Sequence, residues 1–515
     1  MLAAPSDSCV GAPATGERCP LTRRGPLAHR YFAAAGMVVF ALIPYLALSA
    51  AIGPITPTIA HQLHMSLQTM ALASGMANAG YAVGTVLAVQ FAQHLPQRRM
   101  MLLYAVLLVV GSVLAAAATD PTMFFVGHVL QGLCTSLLLI AAVPPLALGF
   151  GPAKLRETAV IMSMCIFGAV TLGPVIGGLQ ASAGGWRPLF WIIAAISAAS
   201  LLLAVLTYEY QPPADRSAPW DLGATGLAAL GAGAAFYGAS ELLTHRFLGP
   251  LTIVPLLGGL VVIVSLIVHQ YRIRRPLLLI RPMLQSTIPV AGIVIALFAA
   301  AASVSATALT ATLQAGSYSP VHLGLLYLPE LAGAVLTAVV LGIVIVRWEM
   351  QVLPLVGMAF LAAGIGVLRI EVPPGQLLTL VGSGLTGIGL GATVAPALFA
   401  AGFSLPSANL QRVFAIVELL RAVAAFMVAP VFAHFAVTVG GNARTGTGIA
   451  LWIGLALSLV GAATATVLYL LGGARPETPD IEAFMRGQRP AWYSPPLLAR
   501  VRRRSLISDL ADEPA

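Results

Sequence analysis

Residues 31–97 read YFAAAGMVVF ALIPYLALSA AIGPITPTIA HQLHMSLQTM ALASGMANAG YAVGTVLAVQ FAQHLPQ, from Tyr31 to Gln97 without one Asp, Glu, Lys or Arg. A helix crosses the hydrocarbon core of a bilayer in ~20 apolar residues, so this stretch holds two crossings. The rest of the chain follows the same pattern. Of 515 residues only 45 are charged (27 Lys+Arg, 18 Asp+Glu), and 58% are hydrophobic. An ordinary soluble domain is roughly 25% charged, whereas at 9% this chain cannot cover a water-facing surface. Disordered chains are polar and charge-rich, so disorder and a string of soluble domains are both excluded. The charges also avoid the middle: six lie in residues 1–30 and thirteen in 474–515, leaving 26 for the 443 residues between.

Splitting the chain at charges, prolines and turn signals gives segments of spanning length at about 31–53, 67–92, 100–119, 122–148, 158–180, 188–208, 222–242, 250–270, 287–313, 321–346, 351–370, 376–402, 409–438 and 447–473. These are fourteen expected helices in an all-α polytopic membrane protein. Lipid offers the backbone no hydrogen-bond partner, so a span must satisfy itself as a helix or a closed barrel. Barrel strands alternate over ~10 residues, and these runs are twice as long without alternation.

Lys and Arg in the connections set the orientation. With the N-terminus in the cytoplasm, cytoplasmic segments hold 22 of the 27 basic residues, among them Arg23, Arg24, Arg98, Arg99, Lys154, Arg156, Arg272, Arg274, Arg275, Arg412 and Arg503. The opposite side holds Arg187, Arg246, Arg369 and Arg444, and Arg421 falls inside a span. Both termini are then cytoplasmic. Trp186, Trp191, Trp220, Trp348 and Trp452 lie near span ends, where amphipathic rings prefer to sit. The net charge of +9 is this inside bias plus attraction to anionic lipid, and calls for no nucleic acid. The tail run Arg500, Arg502, Arg503, Arg504 reads as part of a solvated extension, with a lipid-facing patch as the alternative. No cleaved signal peptide is expected, because the first apolar run is too long. Cys9, Cys19, Cys134 and Cys165 show no metal spacing; the first two sit in a reducing tail, and the last two read as small packing residues.

The sharpest local signal lies in the fifth span, Gly168-Ala-Val-Thr-Leu-Gly173-Pro174-Val-Ile-Gly177-Gly178, followed by Gly185-Trp186-Arg187. Glycines four apart let helix backbones approach closely, and a proline bends a helix. Helix packing alone would account for a single such pair, but the full string resembles the antiporter motif of the major facilitator superfamily. The span count matches that family's fourteen-helix drug:proton antiporter branch, typified by EmrB and QacA. Pro57-Thr58-Ile59-Ala60 after span one, Leu130-Gln131-Gly132 in span four, Leu323-Gly-Leu-Leu-Tyr-Leu-Pro329 in span ten and Leu420-Arg421 in span thirteen also resemble family segments. The likeness covers about residues 31–473. It implies two six-helix bundles, 31–208 and 287–473, with 222–270 as an inserted linker pair. It also implies a cytoplasmic connector at 271–286 and cytoplasmic tails at 1–30 and 474–515. Substrate would lie near the midplane between bundles that rock to alternate access.

The chain departs from the family at three charged positions. The first span is apolar around Leu48 where an Asp is usual. The cytoplasmic gating loop between spans two and three, with Gln93, Arg98 and Arg99, has Gln93 in place of an Asp. In span four His128 stands where an Arg is usual.

A charge near a helix centre costs ~2.5–3.5 kcal/mol or more, so each buried ionisable group needs a reason. Glu330, after Pro329 in span ten, is the first candidate for proton coupling or cation binding, since desolvation brings the two protonation states of a carboxyl closer in energy. The alternative is a carboxyl hydrogen-bonded within its bundle. Glu418 and Arg421 are three apart and can share a helix face, as a self-neutralising pair or as a switch that substrate or a proton opens. His128 reads as a hydrogen-bonded packing residue or a proton carrier. Glu241 and His434 read as interfacial.

No soluble catalytic domain and no phosphate loop of the Gly-x-x-x-x-Gly-Lys-Ser/Thr kind is present, so the chain reads as no enzyme and needs no cofactor. The expectation is a secondary transporter in a bacterial inner membrane, exporting small amphipathic or cationic compounds against protons. A periplasmic adaptor and an outer-membrane channel would serve as partners if export crosses two membranes. Alternatives are an uncoupled or single-metabolite transporter and, in another class, a membrane sensor or scaffold whose tail docks a partner.

Overall fold

A computed structural model describes residues 26–208, 213, 215 and 217–500. Arg23, Arg24, Arg502, Arg503, Arg504, Cys9 and Cys19 lie outside the described residues. Within them, fourteen helices are long and apolar enough to cross a bilayer. Spans one to seven are Tyr31–Gln62, Leu67–His94, Gln97–Ala116, Pro121–Leu148, Pro152–Ser182, Arg187–Thr207 and Leu222–Leu243. Spans eight to fourteen are Pro250–Arg272, Thr287–Gln314, Pro320–Val344, Leu353–Ile370, Gln376–Phe403, Ser407–Thr438 and Ala443–Gly472. No strand occurs among the described residues, only a single bridge between Ser286 and Pro496.

Several of the scarce loop residues have a local task. The first N–H groups of a helix lack partners, and short polar side chains supply them. Asp120 accepts from the Met123 N–H at the start of span four, Asp221 from Ala224 at span seven, and Asn442 from Thr445 at span fourteen. Ser66 and Ser319 do the same for spans two and ten.

Two expected boundaries are corrected. Pro57–Ala60 was expected after span one, yet the helix runs on to Gln62 with Pro44, Pro54 and Pro57 inside it. Each proline removes one hydrogen bond, which a packed membrane helix tolerates. Span five starts at Pro152 rather than near 158, so Lys154 and Arg156 belong to its first turns.

The packing pairs repeat between the two halves. In the first bundle, span two packs on four, three on four, one on five, three on six and one on six. In the second, ten packs on twelve, eleven on twelve, nine on thirteen, eleven on fourteen and nine on fourteen. Adding eight to each number of the first set yields the second, so the bundles are structural repeats. They meet along two seams, span two against thirteen and span five against ten, which the same operation exchanges. Spans seven and eight pair with each other, and span seven lies against span two and touches span thirteen. The inserted pair therefore flanks the first of these seams.

The stretch Ala474–Arg500 was expected as a solvated extension. It instead folds back on the ends of the second bundle. A short helix Ile481–Met485 forms, and Phe484 and Trp492 are buried. Trp492 and Phe484 both pack on Phe403 at the end of span twelve, with ring centroids 5.8 and 4.9 Å away. Two buried aromatic rings in a 27-residue segment give it apolar surface with which to dock. Residues 26–30 lie at the same end of the molecule, called here the tail face.

Candidate functional site

The antiporter-like string divides its glycines between two neighbours. A Cβ on Gly173 would stand 2.4 Å from the Ala50 Cβ, and one on Gly177 would stand 2.4 Å from the Ala51 carbonyl oxygen. Both contacts are to span one, inside the first bundle. A Cβ on Gly178 would stand 2.3 Å from the Pro320 carbonyl oxygen, and one on Gly324 would stand 2.8 Å from the Pro174 carbonyl oxygen. These two contacts cross the seam to span ten, at the end of the molecule away from the tail face. Toward the tail face the same seam closes again, where Gly342 of span ten meets the Arg156 carbonyl and Val160. Spans five and ten thus touch at both ends.

Between these contacts both helices depart from regular α geometry. Span five has a wide π turn at Met164–Gly168, a feature frequent at functional sites. Span ten breaks at Tyr327, between the helical pieces Pro320–Leu326 and Leu328–Val344. Pro329 has no N–H to donate, and the Glu330 N–H bonds the Tyr327 carbonyl at 3.1 Å. The π turn packs on the second piece of span ten, and the Cβ position of Gly168 lies 3.8 Å from the Leu331 Cδ1. Glu330 follows the break directly. It is 6% exposed, and its carboxylate makes no hydrogen bond to any described residue.

The other seam carries an ionic bridge. Arg421 donates to Glu418 Oε2 from Nη2 at 2.7 Å and from Nε at 2.9 Å. Tyr81 of span two completes it: its hydroxyl donates to Glu418 Oε2 at 3.2 Å and lies 3.3 Å from Arg421 Nη2. Glu418 and Arg421 are 1% and 5% exposed. All these bonds converge on one carboxylate oxygen; Glu418 Oε1 is buried with no hydrogen-bond partner among the described residues. The bridge therefore joins the two bundles and keeps one acceptor uncommitted.

A polar chain runs from Tyr81 into the first bundle. Tyr81 stacks on Tyr45 at 6.2 Å, and Tyr45 lies 5.8 Å from His128. The Tyr45 hydroxyl donates to Asn78 at 2.9 Å. His128 Nδ1 lies 3.1 Å from Gln131 Oε1, the Gln131 amide donates to Ser112 at 3.2 Å, and Ser112 meets Ser197 at 3.2 Å. In the Leu130-Gln131-Gly132 segment Gln131 is thus a link in this chain, while Gly132 lets spans two and four approach, its Cβ position being 2.1 Å from the Ala77 carbonyl.

Of the gating-loop residues, Gln93 lies at the tail-face end of span two, whereas Arg98 and Arg99 lie on span three outside both seams. Gln93 is buried at the end of span two and helps line a tail-face cavity of about 290 Å³ with Asp215, Asp221, Arg275 and Arg412. The Asp215 N–H bonds the Gln93 carbonyl at 3.3 Å. The hydroxyl and N–H of Ser217 hold the Asp215 carboxyl below the usual carboxylate range. Arg98 and Arg99 fall in the first turn of span three, where Arg98 donates to the Val205 carbonyl at 3.4 Å. At the opposite end, Glu241 is buried and accepts from Gln68 at 2.8 Å, and His434 Nδ1 lies 2.8 Å from the Leu242 carbonyl.

Sequence reasoning named Glu330, Glu418, Arg421 and His128 without their surroundings. Tyr81, Tyr45, Asn78, Ser112 and Ser197 were missed. Tyr81 could have been found, since a tyrosine amid Gly and Ala of span two is a large polar side chain facing a partner.

The profile of the Major Facilitator Superfamily matches residues 38–368. The "Multidrug resistance protein B homolog" of Mycobacterium tuberculosis (strain CDC 1551 / Oshkosh) is 26% identical over 360 residues, 66% of this chain and 65% of that protein. The "Drug efflux pump JefA" of the same strain is 24% identical over 355 residues, 65% of this chain and 69% of that protein. The chain spans just under two thirds of the resistance protein homolog's length. The crystal structure of the human organic anion transporter MFSD10 superposes with a TM-score of 0.59 at 12% identity, over 85% of this chain and 99% of that one. The proton:xylose symporter XylE does so at 0.58 and 13%, over 85% and 95%. Those two likenesses speak for the fold, and together with the profile match they place the repeated bundles and their seams in context: the chain belongs to the major facilitator superfamily.

Proposed function

We propose that this chain is a secondary active transporter of a bacterial inner membrane that exports small amphipathic or cationic compounds in exchange for protons, with the tail face toward the cytoplasm. The observation that carries the reading is Glu330. It is a buried carboxyl without a hydrogen-bond partner among the described residues, directly after the break in span ten, with its backbone against Gly387 of span twelve and the next residue, Leu331, facing the π turn of span five. Discontinuous helices at the midplane are where transporters of this construction hold substrate and coupling ions. Among the described residues its desolvation penalty is met by neither an ion pair nor a hydrogen bond, so a proton or a cationic substrate is the natural neutralising group. The names of the relatives, a multidrug resistance protein homolog and a drug efflux pump, support export of drug-like compounds.

Glu418 supplies a second exchange point. A proton on its free Oε1 would neutralise the carboxylate, weaken its hold on Arg421 and Tyr81, and loosen the seam between spans two and thirteen. A carboxylate at the ionic seam and another beside the break in span ten give a rocking pair of bundles a way to couple protonation to access.

The test uses proteoliposomes that enclose a pH-sensitive dye. Addition of cationic amphipathic compounds under an imposed gradient is expected to drive proton movement with the unaltered chain, and Glu330→Gln is expected to abolish it while eluting as the same monodisperse species. If no compound in a broad panel moves protons, proton exchange is wrong. The losses of charge at Leu48, Gln93 and His128 favour a second reading, an uncoupled or single-metabolite transporter. That reading predicts intact transport in Glu330→Gln. Export across a second membrane would add a periplasmic adaptor and an outer-membrane channel as partners.

A further inference from the structure

The segment Ala474–Arg500 is attached to one bundle and leans on the other. Its hydrogen bonds beyond itself go to the second bundle and to Gln285 of the connector just before it. The Ala491 N–H donates to the Phe403 carbonyl at 2.8 Å, the Thr287 N–H to the Pro495 carbonyl at 2.9 Å and the Leu497 N–H to the Gln285 carbonyl at 2.8 Å. The Ile288 N–H donates to the Ser494 hydroxyl at 3.1 Å, and Arg500 to the Leu470 carbonyl at 3.1 Å. The segment is also closed on itself. The Asp480 N–H bonds the Ala491 carbonyl at 2.7 Å, the Asp480 carboxylate caps the Ala483 N–H at 3.0 Å, and Arg489 pairs with that carboxylate.

The helix Ile481–Met485 meanwhile packs on Pro152–Ser163, the tail-face part of span five in the first bundle. Among the described residues no hydrogen bond joins the segment to that bundle. The same part of span five meets Gly342 of span ten through Arg156 and Val160. The tail segment therefore lies across the seam at the point where the two bundles close on the tail face.

We propose that residues 474–500 form a strap that travels with the second bundle and holds the tail-face end of the seam shut, letting go of span five before that side opens. The asymmetry of its attachment carries the proposal. A mere anchor for the chain end would need only the second bundle. Contact with the first bundle through side-chain packing alone breaks without leaving backbone groups unpaired. The idea rests on the rocking-transporter reading, but its test needs no substrate.

The experiment uses the full chain in nanodiscs with Cys9 and Cys19 replaced by Ser and a reporter Val160→Cys at the seam. Two strap variants are compared, Phe484→Ala and Ala491→Pro, the latter removing the N–H that binds the Phe403 carbonyl. Hydrogen exchange over residues 480–497 reports whether the strap is docked, and a membrane-impermeant maleimide applied to the tail face reports seam access. Release is expected in both variants, with labelling of the reporter faster by about tenfold, the equivalent of ~1.4 kcal/mol. Released straps with an unchanged labelling rate would show the strap to be packing only. A segment that stays protected in both variants would show that these contacts do not hold it. Either result overturns the proposal, and neither depends on whether protons or drugs are moved.

Discussion

Gly178→Ala is the sharpest probe of the seam between spans five and ten. The added Cβ would stand 2.3 Å from the Pro320 carbonyl oxygen, with the Pro320 carbonyl carbon at 2.9 Å and the Val321 Cα at 3.4 Å. All three atoms are backbone, so no side chain can turn away, and the helices must separate by roughly 1 Å to restore ordinary contact. Overpacking of this kind costs ~1–3 kcal/mol. Because the contact exists only while this end of the seam is closed, the cost falls on that state. At ~1.4 kcal/mol per factor of ten, the balance shifts by roughly 5- to 150-fold toward the form open on the side away from the tail face. Gly177→Ala is the control: its Cβ would meet the Ala51 carbonyl at a similar 2.4 Å, but inside one bundle, so it should lower thermal stability without favouring either open form. A cysteine at Val321, read by an impermeant thiol reagent from that side, measures the balance. Faster labelling with Gly178→Ala and none of that gain with Gly177→Ala is the expected pair. Equal labelling in both, or a Gly178→Ala protein that differs from the parent only in melting temperature, would refute the division of roles.

Other expectations concern the ionic seam and the strap. Arg421→Met alone leaves Glu418 as a buried unpaired charge and should cost ~3–5 kcal/mol, whereas Arg421→Met with Glu418→Gln should recover most of it; thermal unfolding of the three proteins checks this. Tyr81→Phe keeps the ring stacked on Tyr45 but removes the hydroxyl that ties span two to span thirteen, and should alter the pH profile of transport with little change in expression. The Asp480 carboxyl is held below the usual carboxylate range, first by the Ala483 N–H and then by Arg489. Its contribution to strap docking is therefore fully present above the ordinary carboxylate pKa of ~3.9 and is lost as pH falls through the lower folded value. Strap protection, corrected for intrinsic exchange, should hold from pH 5 to 8; loss within that interval would contradict the assignment.

The helix count could be read from the chain because lipid penalises charge, so the charges themselves mark the connections. Glu418 and Arg421 were legible as a pair because three residues along a helix is a local relation. Tyr81, their partner, stands 337 residues from Glu418, and no local rule connects them. The π turn at Met164–Gly168 and the break at Tyr327 depend on which neighbour each helix meets, so periodicity did not reveal them. Pro54 and Pro57 misled in the other direction: they end helices in water but not in a packed membrane core. The tail misled for a similar reason, since its polar composition hid the two aromatic rings with which it docks.

The contact between Gly178 and Pro320, and its mate between Gly324 and Pro174, is made by main chain against main chain. Such a joint has nothing to titrate and no side chain to reorient. Salt, pH and substrate charge leave its strength unchanged, and only the spacing of the two helices decides whether it is made. A closure of this kind keeps no record of what has bound. Any information about protons or cargo has to reach it as displacement, produced where Glu330 and Glu418 gain or lose their charges, and carried along spans five and ten.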